Sequence, residues 1–108
     1  VKDVVNAMIS LMNADHEITN GIYNLGTGQA RSFKDLAVAT FKAMGKEENI
    51  EFIDMPESLR EQYQYYTQAD MDKFSKALPD FKFNSLEEGV NDYVQNYLSS
   101  PNPYLGSR

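Results

Sequence analysis

Residues 21–28 read Gly21-Ile22-Tyr23-Asn24-Leu25-Gly26-Thr27-Gly28, and their reading decides the fold class. Residues 22–25 are β-rich and stand between two glycines, which predicts a short strand. A helical pattern follows: Phe33, Leu36, Ala37, Thr40, Phe41 and Met44 recur at three- and four-residue steps. Ser32 and Asp35 have capping-box spacing ahead of it, and Gly45 can take the left-handed conformation that stops it. A second β-rich run, residues 50–55, ends at Pro56. Strand, helix, strand predicts a parallel pair joined by a crossover. A two-stranded parallel sheet wants partners on its faces and edges, which hints that part of the fold is missing.

Working outward, Val1, Val4, Val5, Met8, Leu11 and Met12 predict a first helix. On the other side, Thr67 and Asp70 have capping-box spacing, with Met71, Phe74 and Leu78 on one face and Pro79 as the stop. Ser85 and Glu88 cap a last helix lined by Leu86, Val90, Tyr93, Val94, Tyr97 and Leu98. The expected fold class is therefore mixed α/β, helix-rich, with about four helices and two short parallel strands. Residues 1–98 are expected to form one region. Residues 99–108 carry Pro101, Pro103 and Gly106 without periodicity and predict a flexible tail. The abrupt start at Val1, inside an apolar pattern and without a methionine, reads as an engineered or proteolytic boundary rather than a natural beginning.

Composition narrows the function classes. The chain has 108 residues, 42 % apolar and 24 % charged, which suits one small globular domain rather than disorder. A net charge of −6 argues against nonspecific nucleic-acid binding. There is no cysteine and a single histidine, His16, so neither thiolate nor histidine-cluster metal sites can form. No apolar run has the length to cross a membrane, and no signal peptide is visible.

Few residues could carry chemistry. Gly26-Thr27-Gly28 follows a predicted strand, as phosphate-cradling turns do, but it is not G-x-G-x-x-G because residue 31 is Arg31. It reads better as a turn using positive φ. Glu87 with Glu88, and Asp70 with Asp72, lie at helix starts, where the dipole favours carboxylates, so they read as structural rather than catalytic. His16 lies in a polar run and reads as a solvated loop histidine. Residues 57–70 are too polar for core and too aromatic for a linker. Arg60 offers a fork for anionic oxygens, and Tyr63, Tyr65 and Tyr66 offer flat faces for a ring. From composition alone, pocket wall and loop fastening stand level. No nucleophile, base and orienter occur together.

Three segments resemble a known superfamily. Val1-Lys2-Asp3-Val4, the run from Gly21 to Gly28 followed by Ser32, and Ser85-Leu86-Glu87-Glu88-Gly89-Val90 are similar to stretches of the extended short-chain dehydrogenase/reductases. Residues 50–56 and the string Tyr63-Gln64-Tyr65-Tyr66-Thr67-Gln68-Ala69-Asp70 resemble, within it, the ADP-heptose 6-epimerase family. The resemblance runs to about Leu98 and covers only the last third or so of such an enzyme.

The resemblance implies a small C-terminal substrate-binding part whose Rossmann domain lies upstream. It implies NAD or NADP held by that missing domain, with no cofactor and no metal on these residues. A Tyr-x-x-x-Lys pair, absent here, would perform the chemistry, so no catalytic residue is expected in the chain and the chain alone is expected to be inactive. The implied reaction is inversion at C6″ of an ADP-sugar, by hydride removal and return, for lipopolysaccharide synthesis in the cytoplasm. The implied partners are the ADP-sugar and, for the full enzyme, further copies of itself, with no nucleic acid and no membrane. Tyr63 matches a substrate-contacting tyrosine and Arg60 a cation on the pyrophosphate. Asp3 matches an aspartate expected to cap the first helix. Two rivals stand beside this: another nucleotide-sugar epimerase or dehydratase, and a stand-alone binding module without catalysis.

Overall fold

Helix formation follows the expected caps in most places. A computed structural model describes residues 1–103; the last five residues of the predicted tail lie outside it. Six α-helices occur among the described residues: α1 (Lys2–Asn13), α2 (His16–Thr19), α3 (Phe33–Ala43), α4 (Glu57–Arg60), α5 (Asp72–Ala77) and α6 (Leu86–Tyr93). A π-helical stretch, Val94–Leu98, continues α6. The chain forms two compact units, one from residues 1–30 and 66–84, the other from residues 31–65 and from Ser85 onward. No helix among the described residues is long and apolar enough to cross a membrane.

The first unit is held by aromatic packing. Phe74 of α5 is 2 % exposed. Tyr23 and Phe81 meet it edge-on at 6.4 and 5.4 Å, and Phe83 lies tilted at 5.5 Å. Phe81 and Phe83 touch in turn at 4.9 Å. Edge-to-face rings add specific geometry to the area they bury. Ala7 of α1 and Thr19 of α2 are also buried. The Thr19 hydroxyl donates to the Asp15 carbonyl at 3.0 Å, so this buried polar group is satisfied. The rest of α1 is largely apolar and half-exposed, including Val4, Val5, Met8 and Ile9.

The second unit packs α3 against α6 and the π-helical stretch. Ala39, Ala43 and Val94 are its buried apolar residues, and small side chains on α3 let the helices approach closely. Ser32 and Asp35 complete the expected capping box: the Ser32 hydroxyl accepts the Asp35 N–H at 3.1 Å and the Asp35 carboxylate accepts the Ser32 N–H at 3.0 Å. Ser85 and Glu88 do the same for α6 at 3.1 and 2.8 Å. Gly45, at φ 65°, closes α3. Its N–H donates to Lys42 O and that of Lys46 to Phe41 O, the paired bonds of a Schellman motif. The Gln95 amide then donates to the Ala43 carbonyl at 3.3 Å.

Four expectations need correction. Neither residues 22–25 nor residues 50–55 form a strand, and no β ladder occurs among the described residues. A strand is stabilised by a neighbour's ladder, and these two runs belong to different units. The third helix begins at Asp72, not near Thr67, and Met71 caps it without a side-chain bond. The Asp70 carboxylate turns forward to the Asp72 N–H at 3.0 Å, a local turn that competes with a box to Thr67. Asp3 lies inside α1 and does not cap it. Its two oxygens accept the Asn84 N–H at 3.1 Å and the Asn84 side-chain amide at 2.5 Å. His16 is exposed as expected but opens α2 rather than sitting in a loop.

Candidate functional site

Arg60 and Tyr63 both lie in the second unit, on and just after α4. Pro56 suits the start of so short a helix because its fixed φ precedes helical backbone. Arg60 is the last residue of α4 and is exposed, with its Nε donating to the Met55 carbonyl at 3.3 Å. No carboxylate among the described residues pairs with it, so the guanidinium keeps its charge for an anion. Tyr63 is 37 % exposed, and Tyr65 meets it edge-on at 5.2 Å while remaining 77 % exposed. The structure thus brings Tyr63 and Tyr65 together, while Arg60 turns its Nε to the Met55 carbonyl rather than to Tyr63. Chemically, the arrangement offers a fork of N–H donors and an aromatic surface, which is recognition rather than bond breaking.

Tyr66 departs from its neighbours. It belongs to the first unit, where its hydroxyl donates to the Gln68 side-chain oxygen. The Gln68 amide donates onward to the Gly28 carbonyl at 2.8 Å, and the Asn24 amide donates to the Asp70 carbonyl at 3.2 Å. Residues 66–71 are thereby strapped onto the glycine turn. A Cβ placed on Gly26 would stand 3.2 Å from the Ala69 Cβ, and one on Gly28, at φ 70°, 3.3 Å from the Met71 Cγ. The glycines serve close approach of the strap and a positive φ. Side chains of the strap thus fill the space beside both glycines, which a closely approaching pyrophosphate would have to share with Ala69 and Met71.

The carboxylates are structural too. Arg31 donates to both oxygens of Glu87, at 2.5 and 3.3 Å, and through Nε to Asp35 at 3.3 Å. One guanidinium so joins the first turns of α3 and α6. The Ser32 N–H holds the Asp35 carboxyl below its usual range, Arg31 does so for Glu87, and the Ser85 N–H for Glu88. Carboxyls depressed in the folded state stabilise it above their unfolded values, and that contribution is lost as pH falls through the folded values. The helicity of this unit is therefore expected to decline as pH drops below about 4.5, where the least acidic of these carboxyls begins to protonate when unfolded. Circular dichroism at 222 nm across pH 7 to 2 checks this; Arg31→Ala should shrink the acid-sensitive part, and salt should weaken it. A flat profile would sink the expectation.

An open depression of about 340 Å³ in the first unit is lined by Ile22, Asn24, Asp70, Asp72, Lys73 and Lys76. It contains neither Arg60 nor Tyr63. Its Lys73 already donates to the Ile22 carbonyl at 2.8 Å and lies 4.6 Å from the Tyr23 ring centre. Among the described residues, no group of three or more His, Asp or Glu could hold a metal ion. Sequence reasoning missed Asn24, Gln68 and the Asp3–Asn84 pair, since each bond spans more than 35 residues and leaves no local pattern.

No family model matches the sequence. Curated proteins do. An ADP-L-glycero-D-manno-heptose-6-epimerase of Nitratidesulfovibrio vulgaris (strain DP4) is 47 % identical over 105 residues, covering 97 % of this chain and 32 % of the relative. One of Fusobacterium nucleatum is 46 % identical over 111 residues, 97 % of this chain and 33 % of the relative. One of Alkalilimnicola ehrlichii is 42 % identical over 101 residues, 94 % of this chain and 31 % of the relative. The chain thus spans about a third of the length of the curated relatives it matches. The resemblance carried by residues 50–56 and 63–70 is shown: over nearly all of its own residues, this chain is similar to ADP-L-glycero-D-manno-heptose-6-epimerases.

Proposed function

We propose that these residues are the nucleotide-sugar recognition part, at the carboxy-terminal end, of an ADP-heptose 6-epimerase. The enzyme would invert C6″ of ADP-heptose through NAD(P), in the cytoplasm, for the lipopolysaccharide inner core, and would assemble as a homo-oligomer. The observation that carries the reading is the 47 % identity to such an epimerase over 97 % of the chain. The exposed Arg60, unpaired with any carboxylate among the described residues, and the half-exposed Tyr63 support it, because a diphosphate next to a ring asks for those two groups. Arg60 would fork onto the diphosphate oxygens, and Tyr63 would pack on or hydrogen-bond the nucleoside. NAD(P) would supply the hydride chemistry and would be held by residues outside this chain, since Gly26-Thr27-Gly28 lacks the dinucleotide fingerprint spacing and has Ala69 and Met71 packed beside it.

The test is a titration followed by amide NMR. ADP-mannose added to the 108-residue chain should shift signals of residues 57–66, with Kd near the millimolar range because few contacts are made. NADP should leave the spectrum unchanged and no epimerase turnover should appear. In the proposed enzyme, Tyr63→Ala should raise KM roughly tenfold and lower kcat less, since the ring would contact the nucleoside and not the reacting carbon. A large loss of kcat at constant KM, or tight NADP binding to the chain alone, would overturn the assignment.

A further inference from the structure

Helix α1 is apolar on more of its surface than its own unit covers. Within it, Asp3, Ala7, Ser10 and Leu11 are withdrawn from solvent, and helical spacing puts these four on one side. Beside them runs a second arc of Val4, Val5, Met8, Ile9 and Met12, which are 45–71 % exposed. At 3.6 residues per turn this arc is contiguous and about 140° wide, and no polar side chain interrupts it. Lys2, Asn6 and Asn13 fill the remaining, narrower sector. The bonds from Asn84 to the Asp3 carboxylate fix the rotation of α1, and so hold the arc facing outward. A surface helix shows one apolar stripe towards its core and polar residues opposite; α1 has apolar residues on two adjoining sides, which suits a helix covered on both. At 12 residues it also depends on packing for its stability.

We propose that this arc of α1 is the docking surface for the part of the enzyme that lies outside these residues, which meets it with an uncharged apolar face. The proposal rests on the reading above, in which these residues are the carboxy-terminal end of an epimerase. The relatives are about three times as long as this chain, so on that reading about two thirds of the enzyme is available to cover the arc. The arc itself selects an apolar occupant, because a charged or polar surface laid on it would lose water and gain no partner. A second copy would bring another net charge of −6 towards the first. Polypeptide joined to the chain is instead held beside it at high effective concentration.

The experiment is methionine oxidation by hydrogen peroxide, read by mass spectrometry, on the 108-residue chain and on the complete polypeptide that contains it. Met8 and Met12 lie in the arc, and each thioether takes one oxygen from peroxide at a rate set by its access to solvent. In the chain alone, at micromolar concentration, both should oxidise within about threefold of a short methionine peptide, and in the complete polypeptide at least about tenfold more slowly. Met8→Glu should leave the thermal midpoint of the chain nearly unchanged, since the residue is 58 % exposed. In the complete polypeptide it should lower the midpoint and speed oxidation of Met12, because a carboxylate is then buried without a partner. Slow oxidation in the chain alone, or fast oxidation in the complete polypeptide, would overturn the proposal. Protection that vanishes when the complete polypeptide is diluted to monomers would assign the arc to a second copy and overturn it equally. Epimerase turnover is measured on the same complete polypeptide. Its absence would sink the nucleotide-sugar reading, while the protection of Met8 and Met12 would still decide the docking, so the two failures are separable.

Discussion

Phe74→Ala is expected to unfold the unit built from residues 1–30 and 66–84 while the α3–α6 pairing survives. Phe74 is 2 % exposed and touches Tyr23, Phe81 and Phe83. Truncating such a ring removes its transfer energy and leaves a cavity that the neighbours only partly close, a loss of about 3–5 kcal/mol. That rivals the whole stability of a small unit. The three partners also pack on one another, so removing the hub strands the rest of the cluster. Amide NMR should show signals of the first unit collapsing towards random-coil positions while those of α3 and α6 stay dispersed. Loss of both units together would show that they unfold as one; a shift of less than about 1 kcal/mol would show the aromatic cluster to be peripheral.

The second large effect falls on Asp3. Asp3→Ala should destabilise the first unit by about 1–3 kcal/mol, because two donors on Asn84 lose a charged acceptor at once. Asp3→Asn should recover part of the loss, since its side-chain oxygen can still accept one of them. Asn84→Ala should cost less than Asp3→Ala, as the backbone N–H keeps its partner. Urea titration of the three variants orders these effects. An Asp3→Ala chain as stable as the original, or an Asp3→Asn chain no better than Asp3→Ala, would show the bond pair to be incidental.

Legibility in the sequence tracked the range of the interactions. The capping boxes at Ser32 and Ser85 and the stop at Gly45 depend on residues three to five apart, and all were readable. Thr67 and Asp70 show the same spacing without the box, because the Asp70 carboxylate found the Asp72 N–H first. The β-rich composition of residues 22–25 and 50–55 reports suitability for a ladder, not the presence of a neighbour, and here there is none among the described residues. Of the candidate site, Arg60 and Tyr63 were named from residue type and resemblance, and both lie exposed or half-exposed in one unit. The relay through Gln68 was not legible, because its far end is a backbone carbonyl, which no side-chain pattern marks.

The interleaving of the two units carries a consequence for manipulating this chain. Each unit is assembled from two separated stretches. Any contiguous peptide that holds both stretches of one unit, 1–84 or 31–108, also carries residues 31–65 or 66–84 of the other without their partner stretch. Co-expression of split halves is then a better route than truncation: a break within residues 46–56, which are almost wholly exposed, falls inside the 31–65 stretch but leaves every described helix uncut. Two separately made peptides, 1–50 and 51–108, should reassemble only with each other, because each brings part of both units.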